Sequence, residues 1–170
     1  GMEGGLAIAD ILCGDVNPSG KLTDTWAKKY EDIPFAMEYG ALNGDLQQEY
    51  YKEGIYVGYR YFDKANVPVR WPFGYGLSYT SFGYSNLTVQ ENTATVTVTN
   101  TGSRAGAEVV QLYVAAPQDG IHRPVRELKA FQKVLIKAHE TAEVVFSLME
   151  EDFAYYSEDL HNWIANDGPF

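Results

Sequence analysis

The sequence predicts a mainly β protein: an antiparallel β-sandwich preceded by a small α/β part. Three observations lead there. From residue 82 onward, short β-rich runs alternate with turn residues, the spacing of an antiparallel sandwich. Residues 3–14 carry a helix pattern closed by a glycine and followed by a dense turn, the stop signal of a short helix. Cys13 is the only cysteine in 170 residues, so no internal bridge exists and a disulfide-linked antibody-type domain is excluded.

The elements follow in order. Leu6, Ala7, Ile8, Ile11 and Leu12 make helix 3–14 apolar, and Gly14 suits the left-handed residue that ends it. The small residues Gly4, Gly5, Ala7 and Ala9 would admit a sheet at close range, and Cys13 in this apolar run reads as a buried structural thiol. A helix of three turns does not persist alone in water, so the segment reads as the end of a larger α/β unit. Asp15 to Gly20 is turn chemistry, and residues 21–26 suit a short strand. Residues 27–49, with Pro34, Gly40 and Gly44, read as a long surface loop; loops of that length line sites or cross between domains. In 50–63 the helical spacing of Ile55, Tyr59 and Phe62 competes with the alternation of Ile55, Val57, Tyr59 and Tyr61. The reading adopted is a short helix over about 55–63.

Strands are then predicted at 82–90, 93–99, 108–115, 127–136 and 143–148. Val alternates with Thr in the second, and Val110, Leu112 and Val114 form the better core face of the third. Asn100-Thr101-Gly102 and Pro117 to Gly120 are turns. Residues 162–170 read as a strand, a turn and the first residue of a further strand. An edge left open there is expected to invite self-association.

Charge and composition narrow the function. Thirteen Lys and Arg stand against 23 Asp and Glu, a net charge of −10, which repels nucleic acid. No apolar run approaches the ~18 residues that span a bilayer, and the first residues lack the basic region of an export signal. The compartment stays open, with a soluble, cytoplasmic protein favoured. His122, His139 and His161 lack ligand spacing for a metal, so no metal and no cofactor are assigned. Aromatic residues reach 14%, including 13 Tyr, and they concentrate between Tyr50 and Tyr84.

Five blocks identify a family. They are EGGLAIADILCGDVNPSGKL (3–22), YYKEGIYVGYRYFD (50–63), WPFGYGLSYTSF (71–82), TNTGSRAGAEVVQLYV (99–114) and RPVRELKAFQKV (123–134). Together they resemble the C-terminal part of glycoside hydrolase family 3, the β-glucosidases, β-xylosidases and related exo-acting enzymes. The resemblance implies that residues 1–70 end an α/β sandwich domain, 71–81 form a junction, and 82–170 form an incomplete fibronectin type III-like, immunoglobulin-like β-sandwich. Residues 22–40 are also similar to a subgroup whose barrel follows the fibronectin-like domain.

Retaining glycosidases need two carboxyl groups ~5–5.5 Å apart. In the family resembled, one lies on the barrel, and the other, where the sandwich domain carries it, lies upstream of the EGG block. No catalytic residue is therefore carried over. Glu49 and Glu53, at i,i+4 spacing, and the clusters at 31–32 and 150–152 read as solvated acids. Glu3 reads as an acid favourable at a helix N-terminus. Arg123 and Arg126, flanking Pro124, read as surface ion-pair residues. Tyr59, Phe62, Trp71, Phe73, Tyr75 and Tyr79 read as aromatic packing at the domain junction, and Tyr50 and Tyr51 as candidates for a substrate rim. The expected partners are the catalytic barrel and the remainder of the α/β domain. The alternative reading is a stand-alone carbohydrate-binding β-sandwich module.

Overall fold

The computed structural model describes residues 2–170. In chain order the elements are α1 (Gly4–Cys13), β1 (Trp26–Ala27), α2 (Gly40–Asn43), α3 (Tyr59–Ala65), β2 (Val69–Trp71), β3 (Phe82–Gln90), β4 (Thr93–Asn100), β5 (Gly106–Val114), β6 (Glu127–Ile136), β7 (Thr141–Ser147), β8 (Ala154–Ser157) and β9 (Asn162–Ala165). The chain divides into two compact units. One holds residues 2–21, Gly76–Leu112 and Leu128–Asp152; the other holds Leu22–Tyr75, Tyr113–Glu127 and Phe153–Phe170.

The first unit contains the β-sandwich. Strands β3, β4 and β7 form one antiparallel sheet in that order, and β5 pairs with β6 in a second. The Val/Thr alternation of β4 sends Ala94, Val96, Val98 and Asn100 inward, all buried. Across the β4–β7 register Ala94 lies opposite Phe146, a small side chain against a large one, and Val96 lies opposite Val144. Val110 of β5 and Ile136 of β6, each 2% exposed, complete this core. Burying each such side chain stabilises by ~1.5–3 kcal/mol. In β3 the register slips between Ser85 and Thr88, with Asn86 at φ 53°. This is a bulge, and asparagine tolerates its left-handed backbone.

Helix α1 ends as its sequence dictates. Gly14 takes φ 84°, its N–H reaches Ile11 O, and Asp15 N–H reaches Asp10 O, a left-handed cap. Glu3 stands at the N-cap without a side-chain cap bond. Cys13 is exposed, contrary to the buried thiol expected. Leu6, Ile8 and Leu12 are exposed too, and a Cβ added at Gly4 or Gly5 would meet nothing within 4 Å. Among the described residues no element covers that face, so apolar character there does not bring burial.

The second unit holds the rest. The strand expected over 21–26 shrinks to Trp26–Ala27, paired with β2. Leu22 does bond Tyr75 O and Gly74 N–H, but Asp24 then accepts from Thr25 N–H and turns the chain. The loop expected over 27–49 is folded locally. It contains two 3-10 turns, Tyr30–Asp32 and Ala36–Glu38, before α2. Tyr30 OH donates to Ala36 O, and Ala36 is buried. The helix expected over 55–63 runs Tyr59–Ala65 instead, because Gly58 adopts φ 58°, ψ −132°, outside helical space. Strands β8 and β9 form a two-stranded antiparallel hairpin. No described helix is long and apolar enough to cross a membrane.

Candidate functional site

The densest polar arrangement in the first unit ties α1 and its following turn to the β-sandwich. Asn17 is its centre. Its Nδ2 donates to Ala105 O at 3.0 Å, and its Oδ1 accepts from Ser78 Oγ at 3.1 Å and Tyr79 N–H at 2.8 Å. Tyr79 OH donates to Ile11 O at 2.7 Å. Arg104 donates to Gly14 O, and its Cζ lies 5.5 Å from the centre of the Tyr79 ring. Ile11 O, which also accepts from Gly14 N–H, and the C-cap carbonyl of Gly14 thereby gain side-chain partners.

Lys21 closes the other end of this seam. Its Nζ donates to both oxygens of Glu108, at 2.9 and 3.0 Å, and Tyr84 OH donates to Oε1 at 2.8 Å. Glu108 is 9% exposed. Burial first, then the hydrogen bond to Glu108 and its negative charge, push the Tyr84 phenol well above its ordinary pKa. Two glycines let the backbones meet: a Cβ at Gly76 would stand 2.4 Å from Gly20 O, and one at Gly106 would stand 2.7 Å from Asn17 Nδ2. Behind them Asn100 is fully buried. It donates to Arg104 O and Ile136 O and accepts from Thr80 Oγ1 and Gly102 N–H, so its amide is fully satisfied.

The aromatic candidates distribute as follows. In the second unit, Tyr59 stacks against Phe73 at 4.9 Å and meets Tyr113 edge-on at 5.9 Å. Phe62 is buried, and Trp71 meets Trp26 at 5.4 Å. Tyr75 keeps 39% of its surface exposed, and its backbone carbonyl accepts from Leu22 N–H. Tyr79, in the first unit, keeps 48%; its hydroxyl, not its ring, makes the anchoring bond. Arg126 pairs with Asp63 at 2.7 Å. Arg123 is 4% exposed and not a surface residue: its Nε donates to Pro117 O and its Nη2 to Asp119.

Tyr50 and Tyr51 are 60% and 89% exposed, on the segment between α2 and α3. The segment is pinned on both flanks. Glu49 accepts from Gly40 N–H, Lys52 pairs with Glu38, and Tyr39 OH donates to Glu53 at 2.7 Å. That bond pushes Tyr39 up to about 12 and holds Glu53 below its usual carboxylate value. Glu49 and Glu53 are thus each engaged by a separate hydrogen-bond donor. Among the described residues no His, Cys, Asp and Glu cluster could hold a metal ion.

A model of the glycosyl hydrolase family 3 C-terminal domain matches residues 1–59, and one of the fibronectin type III-like domain matches residues 108–170. Over 172 residues the whole chain is 46% identical to a probable β-glucosidase K of Emericella nidulans, covering 20% of it. The chain belongs to glycoside hydrolase family 3. Solved family 3 structures agree. β-Glucosidase 3B of Thermotoga neapolitana, in complex with α-D-glucose, superposes with a TM-score of 0.84 at 43% identity, over 91% of this chain and 22% of that one. The β-glucosidase of Bifidobacterium adolescentis gives 0.85 at 42% identity, over 97% and 25%. The chain thus spans about a fifth to a quarter of the family 3 proteins it matches, within their C-terminal region.

Sequence reading missed the seam residues. Asn17 read only as a turn former, and Lys21 and Arg104 as unremarked bases. One signal was present: Glu108 shares a strand face with Val110, Leu112 and Val114, and a carboxylate on a core face requires a partner.

Proposed function

We propose that this chain is the non-catalytic, domain-orienting part of a family 3 β-glycosidase. The parent would cleave terminal β-linked sugars by a retaining double displacement, with the carboxylates on portions of the protein that this chain does not match. One observation carries the reading. The segment matched by the family 3 C-terminal domain model is bonded to the β-sandwich through Asn17, Tyr79, Arg104 and the Lys21–Glu108 pair. Such a seam would hold the 11–21 end of that segment against the sandwich. The domain division 1–70, 71–81 and 82–170 belongs to the same reading.

Hydrogen exchange tests it. Asn17→Ala should speed amide exchange in α1 while β4 and β7 keep their protection. Unchanged exchange in α1 would show that the seam does not hold it.

Two finer roles belong to this proposal. Tyr50 and Tyr51 are exposed on a pinned segment and would reach the rim of a sugar-binding cleft. The free edges of the β8–β9 hairpin would pair with another strand, which favours self-association. A stand-alone carbohydrate-binding module is disfavoured, because each relative named above is a longer β-glucosidase.

A further inference from the structure

Within the second unit, the β8–β9 hairpin and the 121–127 loop enclose a groove of about 580 Å³, in the ~300–1,000 Å³ range of small-ligand sites. One wall is aromatic. Tyr156 and Trp163 are cross-strand partners whose rings meet edge-on at 5.7 Å, yet they stay 48% and 66% exposed. Beside them stand the carboxylates of Glu158 and Asp159, both exposed. We propose that this groove is an accessory binding site for a neutral oligosaccharide. Pyranose rings would lie on Trp163 and Tyr156, and their hydroxyls would donate to Glu158 and Asp159.

The chemistry selects this ligand class. A pyranose presents apolar C–H faces and a rim of hydroxyls, and the groove offers exposed aromatic rings flanked by acceptors. The charge balance selects neutrality. The cations in the lining are already paired, Arg60 with Glu127 at 2.8 Å and Arg123 with Asp119 at 2.9 Å. Glu158 and Asp159 have no ion-pair partner among the described residues, so an anionic chain would be repelled. The buried Arg123 contributes one more element. Its Cζ lies 5.8 Å from the centre of the Tyr155 ring, and its Nη1 is a buried donor without an acceptor among the described residues. A buried unpaired donor is unfavourable, and a hydroxyl oxygen reaching it beside Tyr155 would relieve it. This site is independent of the orienting role proposed above and would stand if that role failed.

Titration of the 170-residue chain with cellotetraose and laminaritetraose tests the site, followed by calorimetry and by the NMR signal of the Trp163 indole N–H. Tetragalacturonate serves as the anionic control. At least one neutral tetramer should give saturable shifts at Trp163, and tetragalacturonate none. Trp163→Ala should weaken binding at least tenfold without moving the melting temperature, because the side chain is mostly exposed. If that variant does lower the melting temperature, Tyr156→Ala decides, with the same loss expected. The proposal is overturned if neither neutral tetramer saturates, if tetragalacturonate binds as well, or if the deciding variant binds like the unsubstituted chain.

Discussion

Replacing Lys21 by methionine removes the cation paired with Glu108 while keeping most of the side-chain volume. The Lys21 and Glu108 side chains are 20% and 12% exposed, and they lie 2.9 Å apart. Removing one partner of a fully buried pair costs ~3–5 kcal/mol, whereas an exposed pair contributes ~0–1 kcal/mol. This pair lies nearer the buried limit, and Tyr84 still donates to the carboxylate, so Lys21→Met should cost roughly 2–3 kcal/mol. For a chain of this size ~1 kcal/mol moves the melting temperature by ~2–4 °C, and the expected drop is roughly 4–12 °C. The assay is thermal unfolding by circular dichroism at pH 7. The double variant Lys21→Met/Glu108→Leu should recover most of the loss, because no charge is then stranded. A Lys21→Met melting point equal to that of the unsubstituted chain would refute the reasoning. So would a double variant that adds the two single losses.

Three further outcomes follow from the same structure. Phe73→Ala removes the ring that stacks on Tyr59 and should cost roughly 2–3 kcal/mol, below the ~3–5 kcal/mol of a fully buried site; an unchanged melting temperature would contradict that packing. The Tyr84 phenol is raised in the folded state, so its contribution is complete below its ordinary pKa near 10 and is lost as pH climbs beyond; Tyr84→Phe should flatten the alkaline fall in stability measured by denaturant titration. Sedimentation over a concentration series should show association that grows with concentration, and a proline placed at Ile164 should reduce it by blocking β9 edge pairing; a monomer at all concentrations would remove that proposal.

The β-sandwich was legible because its signal is local. Period-two alternation in β4 gives the buried set directly, and the strands at 82–90 and 127–136 coincide with β3 and β6. The helix near 55–63 slid toward its C-terminus because one glycine dihedral, at Gly58, overrode the apolar spacing. Cys13 was misread for a different reason. Apolar sequence creates a need for cover, but cover comes from other elements, and none in the described residues reaches that face of α1. The seam was the least legible part. Asn17 and Ala105 are 88 residues apart, and Lys21 and Glu108 are 87 apart. No local pattern couples such positions; only the carboxylate on the inward face of β5 hinted that a cation must come from elsewhere.

The central claim is that this chain orients a glycosidase and does not itself carry its chemistry. The most direct measurement is release of 4-nitrophenol from 4-nitrophenyl β-D-glucoside and β-D-xyloside by the purified 170-residue chain. The account predicts a rate indistinguishable from buffer at every protein concentration, with the sandwich folded by circular dichroism in the same sample. Turnover that survives repurification and rises in proportion to protein would contradict it.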